Sequence, residues 1–170
     1  MELTRRTVLG VAVAGIGTTG CLGGETPPPA TVADDTQCAD CGMVIATQPG
    51  PAGQTVYEGD SEPTQFCSTV CAYRHRFDHS GGVTVTYLTD YSTVDYRVQS
   101  SPLVVSAHLD TAAFTEEDAL KLVVGSSLEG AMGPALVPFS ESSDAASVTN
   151  EHGGEVIDAG EVTETMVAER

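Results

Sequence analysis

Thr64-Gln65-Phe66-Cys67-Ser68-Thr69-Val70-Cys71 is the stretch on which the reading of the fold turns. A short strand-like run ends in a serine, and the residues beyond it, through Phe77, have helical character. Serine accepts well from the free N–H groups of a first helical turn. Cys67 and Cys71 therefore straddle a helix start about one turn apart, and both sulfurs can point to the same place. A helix N-terminus also lowers thiol pKa, favouring the thiolate that metals need. Upstream, Cys38-Ala39-Asp40-Cys41-Gly42-Met43 supplies a second pair. The 25 residues between Cys41 and Cys67 hold the loop Pro49-Gly50-Pro51 and a strand, Thr55-Val56-Tyr57, as a knuckle plus hairpin requires. CxxC followed by CxxxC at this separation is a metal-ligand pattern, and its soft sulfurs select copper(I), zinc or iron–sulfur.

Outward from that stretch the chain repeats itself. Phe66-Cys67-Ser68, a helix, Gly81-Gly82 and the strand Val83-Thr84-Val85-Thr86-Tyr87-Leu88 have a counterpart. It is Val137-Pro138-Phe139-Ser140, a helix over 144–149, and Gly153-Gly154-Glu155-Val156-Ile157. Serine is expected to cap each helix and the paired glycines to stop it. Further strand character lies at Tyr96-Arg97-Val98 and Leu103-Val104-Val105. Thr115-Glu116-Glu117-Asp118 ahead of 119–124 reads as an N-capped helix with acids in its first turn, closed by Gly125. The expected class is α+β: two related small lobes of short antiparallel strands, each with a short helix. The metal-binding domain is expected over 37–163, with lobes of about 37–95 and 96–163 and a frayed polar tail over 164–170.

The first 21 residues read as an address rather than as part of the fold. Thr4-Arg5-Arg6-Thr7-Val8-Leu9 is a twin-arginine export pattern, and the apolar run behind it is too short to span a bilayer. Thr18-Thr19-Gly20-Cys21 resembles a lipoprotein cleavage site, which would make Cys21 the lipidated first residue of the mature chain. A plain secretory signal is the alternative. Residues 22–36, with Pro27-Pro28-Pro29, read as a flexible tether. The expected place is the outer face of the cell membrane.

Lys and Arg number 7 against 24 Asp and Glu, a net charge of −17, with Lys121 the single lysine. The apolar fraction of 41% is that of a globular domain, so the dispersed acids are surface rather than a disordered tail. Such a surface keeps its water and has its self-repulsion screened in concentrated salt, which points to a haloarchaeal cell. The same charge excludes nucleic acid and anionic membrane surfaces as partners and leaves a lipid anchor to do the tethering.

Apart from Cys21, four cysteines remain, and the residues alone leave their use open. They could be stapled as disulfides, since exported proteins meet an oxidising compartment. They could hold structural zinc through four thiolates. Alternatively, Cys41 and Met43 could centre a soft-metal carrier site, with thioether favouring cuprous ion. A thioredoxin-like role fits poorly, because this CxxC opens the domain instead of following a strand into a helix. Met132 sits in a Gly-rich loop, Gly125 to Pro134; a methionine there is by itself commonly a gap-filler.

Cys41-Gly42-Met43-Val44-Ile45 and Ala131-Met132-Gly133-Pro134-Ala135-Leu136-Val137-Pro138-Phe139, in that order, resemble the NosL family. The cysteine spacing is also similar to the treble-clef-like TRASH element. NosL proteins are lipoproteins associated with maturation of the copper enzyme nitrous oxide reductase. The resemblance implies a membrane-tethered Cu(I)-binding metallochaperone, not an enzyme. Its partners would be apo nitrous oxide reductase and that enzyme's membrane maturation proteins. Cys41 and Met43 match the family's Cys-Gly-Met element, Met132 the later Met-Gly, Cys38 a frequent family cysteine, and Cys71 the single cysteine of the aromatic-led segment. Cys67 is additional, so zinc is a possible competitor at the four-cysteine element. Val44, Ile45 and Phe66 are expected to shield the metal. Arg74, His75 and Arg76 read as a solvated helix face, with a contact surface or an extra ligand source as the alternatives; His79, His108 and His152 read as isolated.

Overall fold

The computed structural model describes residues 26–168. Two units share one topology. In the first, β1 (Gly53–Tyr57) is the middle strand, β2 (Thr64–Phe66) and β3 (Val83–Thr89) flank it, and α1 (Thr69–Asp78) connects the flanking pair. In the second, β7 (Lys121–Val124) is flanked by β10 (Val137–Phe139) and β11 (Glu155–Asp158), connected by α2 (Ser142–His152). Both sets pair antiparallel throughout. The class is therefore α+β, and the repeat expected from Phe66-Cys67-Ser68 and Val137-Pro138-Phe139-Ser140 is present. β6 (Phe114–Glu116) adds a fourth strand to the first sheet beside β3. A small mixed sheet joins β4 (Val98–Gln99) and β5 (Val104–Val105), from the chain between the two units, to β8 (Glu129–Gly130) and β9 (Gly133–Pro134), a hairpin inserted in the second unit between β7 and β10.

The helix expected over 115–124 is instead β6, one turn of 3-10 helix (Glu117–Ala119), and β7. The cause is burial on two sides. Leu122 and Val124 join one apolar core with Cys38, Phe66, Cys67, Val70, Cys71 and Leu88, whereas Val123 joins another with Tyr91, Leu128, Val137, Phe139 and Val148. Successive strand residues face opposite ways, so a strand between two cores is apolar at every position and loses its alternation.

The serine cap follows the expectation at α1 and departs from it at α2, whereas the glycine stop holds at α2 and not at α1, which ends at His79 ahead of Gly81-Gly82. Ser68 caps α1, its hydroxyl accepting from the Cys71 N–H at 2.9 Å. At α2 the cap position is Glu141, whose side chain makes no cap bond. Ser140 instead donates its N–H to buried Asp90, which also accepts from the Ser92 N–H and the Thr115 hydroxyl. A buried carboxylate with three donors is satisfied, and here it fixes the end of β3 to the start of α2. Gly153 closes α2 in the left-handed region (φ +74°).

Two segments expected to be loose are fastened. Buried Gln54 grips Ala30 twice, accepting from its N–H and donating to its carbonyl, each at 2.8 Å. Tyr87 donates to the Pro27 carbonyl and Gln65 to that of Thr31, so the tether is bound to the first sheet from Pro27 onward. At the other end, residues 164–168 form α3 (Glu164–Ala168) rather than fraying, because Val167 is buried in the core shared with α1.

Candidate metal centre

The centre is built by two local structures. Gly42 takes φ +76°, a conformation that costs a residue with a side chain about 1 kcal/mol. That turn lets the Gly42 N–H donate to the Cys38 carbonyl (2.9 Å) and the Cys38 N–H to the Met43 carbonyl (2.8 Å). The loop closes on itself with Cys38 and Cys41 on one side. The Ala39 N–H then donates to the Gln65 carbonyl (3.1 Å), which hangs the knuckle beside β2 and the cysteine that follows it. On the second structure, the Ser68 cap aligns the first turn of α1, and the Thr69 N–H donates to the Pro51 carbonyl (2.9 Å). Cys67 and Cys71 are placed by that turn.

All four sulfurs lie within 4.8 Å of one another, and all four cysteines are free thiols. Cys41 Sγ is 3.4 Å from Cys67 Sγ, which is 3.8 Å from Cys71 Sγ. A tetrahedral ion with bonds of ~2.3 Å to sulfur needs sulfur–sulfur edges of about 3.8 Å, so the group is of a size to close on one ion. Cys38, Cys67 and Cys71 are buried and Cys41 is half-buried, which leaves one approach from solvent. The thiol hydrogen of Cys67, and next that of Cys71, stabilises the Cys38 sulfur as thiolate and holds its pKa far below the ordinary thiol value. The same contacts with Cys38 push Cys67 and Cys71 well above it, aided by burial. Of the three, Cys38 is the sulfur whose surroundings favour the thiolate that a cation would bind. Arg74 pairs with Asp40, inside the knuckle, at 2.6 Å, and its guanidinium reaches to 3.6 Å from Cys71 Sγ.

Both methionines pack against the core that contains the cysteines. Met43 follows the knuckle turn directly. Met132 sits with Ala131 at the two-residue turn between β8 and β9, and it lines a crevice with Ser68, Thr69 and Val70, the chain between the second pair of cysteines. The approach is close: a Cβ on Gly50 would fall 2.7 Å from the Gly130 Cα, so the hairpin bearing Met132 lies directly on the Pro49-Gly50-Pro51 loop. The NosL family profile matches residues 29–167 of this chain. The chain belongs to the NosL family. It is 30% identical over 169 residues to the copper-binding lipoprotein NosL of Stutzerimonas stutzeri, covering 96% of this chain and 82% of that one. To the copper-binding lipoprotein NosL of Achromobacter cycloclastes it is 28% identical over 130 residues, 75% of this chain and 63% of that one. The crystal structure of the copper chaperone NosL from Shewanella denitrificans superimposes with a TM-score of 0.69 at 26% identity, covering 83% of this chain and 99% of that one.

Within this NosL fold the six sulfur candidates divide into a converged set and a flanking set. Cys38, Cys41, Cys67 and Cys71 come together, and Met43 and Met132 border the same apolar cluster. Ile45 and Phe66 are buried in that cluster, as expected of shielding residues, and Val44 is half-buried. The export arginines Arg5 and Arg6 and the lipidation residue Cys21 lie outside the described residues. His79 is a correction: its ring stacks with those of Tyr57 and His75. His108 bonds Ser106 and lies edge-on to Tyr91, away from the thiols. Asp40 escaped the sequence reading, and Arg74, His75 and Arg76 are a correction: instead of a solvated face they are half-buried and engaged with Asp40, Tyr57 and Glu117. The signal was Arg74 three residues beyond Cys71, but its partner is 34 residues away and only the fold brings it near.

Proposed function

We propose that this NosL chain is an exported, lipid-anchored carrier that holds Cu(I) and delivers it to a copper enzyme, nitrous oxide reductase, through that enzyme's membrane maturation proteins. Cys41 and Met43 would centre the site, with Met132, Cys38, Cys71 and Cys67 completing it as the ion is taken up or passed on. One observation carries the reading: four free thiols converge with a single solvent approach, and two thioethers border the same cluster. Cuprous ion accepts two or three soft ligands with little geometric demand, so the bordering thioethers can exchange for thiolates as the ion leaves. The relatives' names agree, being copper-binding lipoproteins and a copper chaperone. No helix among the described residues is long and apolar enough to cross a membrane; in this reading the chain is attached through lipid on Cys21. No step of this role calls for catalysis.

A second reading has its own support. Sulfur separations close to a tetrahedral edge, with three of four sulfurs buried, suit a permanent four-thiolate zinc site on which a binding module is folded. Competition between Cu(I) and Zn(II) on the reduced protein separates the two. The carrier reading expects Met43→Ala and Met132→Ala each to weaken Cu(I) binding about tenfold and leave Zn(II) unchanged. Cu(I) affinity indifferent to both methionines, with zinc bound by four sulfurs, would leave the zinc module standing instead.

A further inference from the structure

His75 lies in the last turn of α1 and His79 is the residue that caps its C-terminus, four positions on, its N–H still donating to the His75 carbonyl at 2.9 Å; Cys71 lies one turn before His75. Their rings are nearly parallel, 18° apart with centroids separated by 5.5 Å. Tyr57, the last residue of β1, holds both: its phenol oxygen is 2.7 Å from His75 Nδ1 and its ring centroid 4.0 Å from that of His79. Phe66 backs His75 at 5.0 Å. His75 is half-buried and His79 exposed, so the pair opens to solvent. The arginines interleaved with them face elsewhere, Arg74 toward Asp40 and Arg76 toward Glu117. Carboxylates neighbour these residues in sequence, Glu58 and Asp60 after Tyr57 and Asp78 before His79.

We propose that His75 and His79 form a second metal site, distinct from the thiol centre, that binds a divalent ion and prefers Cu(II). Two imidazoles at i and i+4 on one helix face form a chelating pair. The Tyr57 contact occupies Nδ1 of His75 and holds the ring plane, so Nε2 is the nitrogen that would take a metal, in the tautomer whose Nδ1–H donates to the phenol oxygen. Imidazole suits Cu(II), Ni(II) and Zn(II) rather than hard cations. With only two protein ligands and water filling the rest, intrinsic affinity decides the order, and Cu(II) stands first. The thiols present soft sulfur for Cu(I) and the imidazoles borderline nitrogen for Cu(II), so the chain offers each oxidation state its own donors. The inference rests on the imidazole geometry and not on the carrier reading, since it holds equally if the thiols keep zinc.

The test uses the full chain with its thiol centre first saturated with Ag(I), a soft ion without an EPR signal. The amount of Ag(I) taken up reports on the thiols alone. Cu(II) is then titrated and followed by EPR. One Cu(II) per chain with coupling to two nitrogens is expected. His79→Ala, at an exposed position, should keep the native circular dichroism and weaken Cu(II) binding at least tenfold with loss of that coupling. His75→Ala should do the same, whereas His108→Ala and His152→Ala should match the parent. Absence of nitrogen-coupled Cu(II), or a His79→Ala chain that binds as the parent does, overturns the proposal whatever the Ag(I) uptake.

Discussion

Two glycines near the thiols differ in what a side chain would do, and the difference can be measured. Both have positive φ, +76° at Gly42 and +93° at Gly50. A Cβ at Gly42 meets nothing within 4 Å, so Gly42→Ala bears only the backbone term, about 1 kcal/mol of stability in denaturant unfolding. At Gly50 the Cβ would fall 2.7 Å from the Gly130 Cα, and backbone must move. Gly50→Ala is expected to lose about 2–3 kcal/mol and to displace the hairpin that carries Met132. Equal losses at the two positions would show that the hairpin does not rest on this loop. Cys-Gly-Met was legible in the sequence because turn and ligands share one short segment. The seat of Met132 against Ser68 and Val70 was not, since it depends on two loops remote in sequence meeting at a glycine.

At the level of elements, β2–α1–β3 and its counterpart were readable because strand, helix and glycine pair recur in order. β7 was misread for a physical reason. Thr115-Glu116-Glu117-Asp118 imitates a capped first turn, and Lys121-Leu122-Val123-Val124 has no alternation to contradict it, its inward residues going to two separate cores. Periodicity cannot tell a strand buried on both faces from a buried helix segment. The fastening of residues 27–32 was hidden for a different reason: a glutamine in a strand says nothing of what it grips. Leu122→Ala should destabilise the protein by about 2–5 kcal/mol, the range for a core leucine. Because β7 contributes to both cores, far- and near-ultraviolet circular dichroism should melt in one shared transition in this variant as in the parent. Two separated transitions would mean that the units fold independently.

At the scale of the whole molecule, all five tyrosines titrate above the ordinary phenol value of 10.0. Burial is the largest cause for each, and Tyr57 is pushed up to about 12. Burial disfavours phenolate, so the folded state holds these protons more tightly than the unfolded chain does. The stabilisation is therefore fully present below pH 10 and is lost as pH rises from about 10 through 12 and beyond. Tyrosinate absorbance should rise at higher pH in native than in denatured protein, and the melting temperature should fall steeply over that window. Coincident titration curves for the two states would contradict this burial. At Tyr73 the neighbouring Glu117 raises the phenol further after burial, and the hydroxyl donates to the Ala159 carbonyl, joining α1 to the chain beyond β11.

The contacts of Pro27, Ala30 and Thr31 with the first sheet also set a length. With Cys21 as the lipid anchor, five residues (22–26) lie between it and the first docked position, Pro27, a reach of roughly 20 Å at full extension. The docked strap then leads within a few residues to the Cys38–Cys41 knuckle. Under the proposed anchor and carrier role, a domain held so short would not search the space outside the cell, and the recipient of its cargo would have to present an acceptor site close to the lipid surface. Lengthening the chain between Cys21 and Pro27 would then extend that range without touching any of the sulfur candidates.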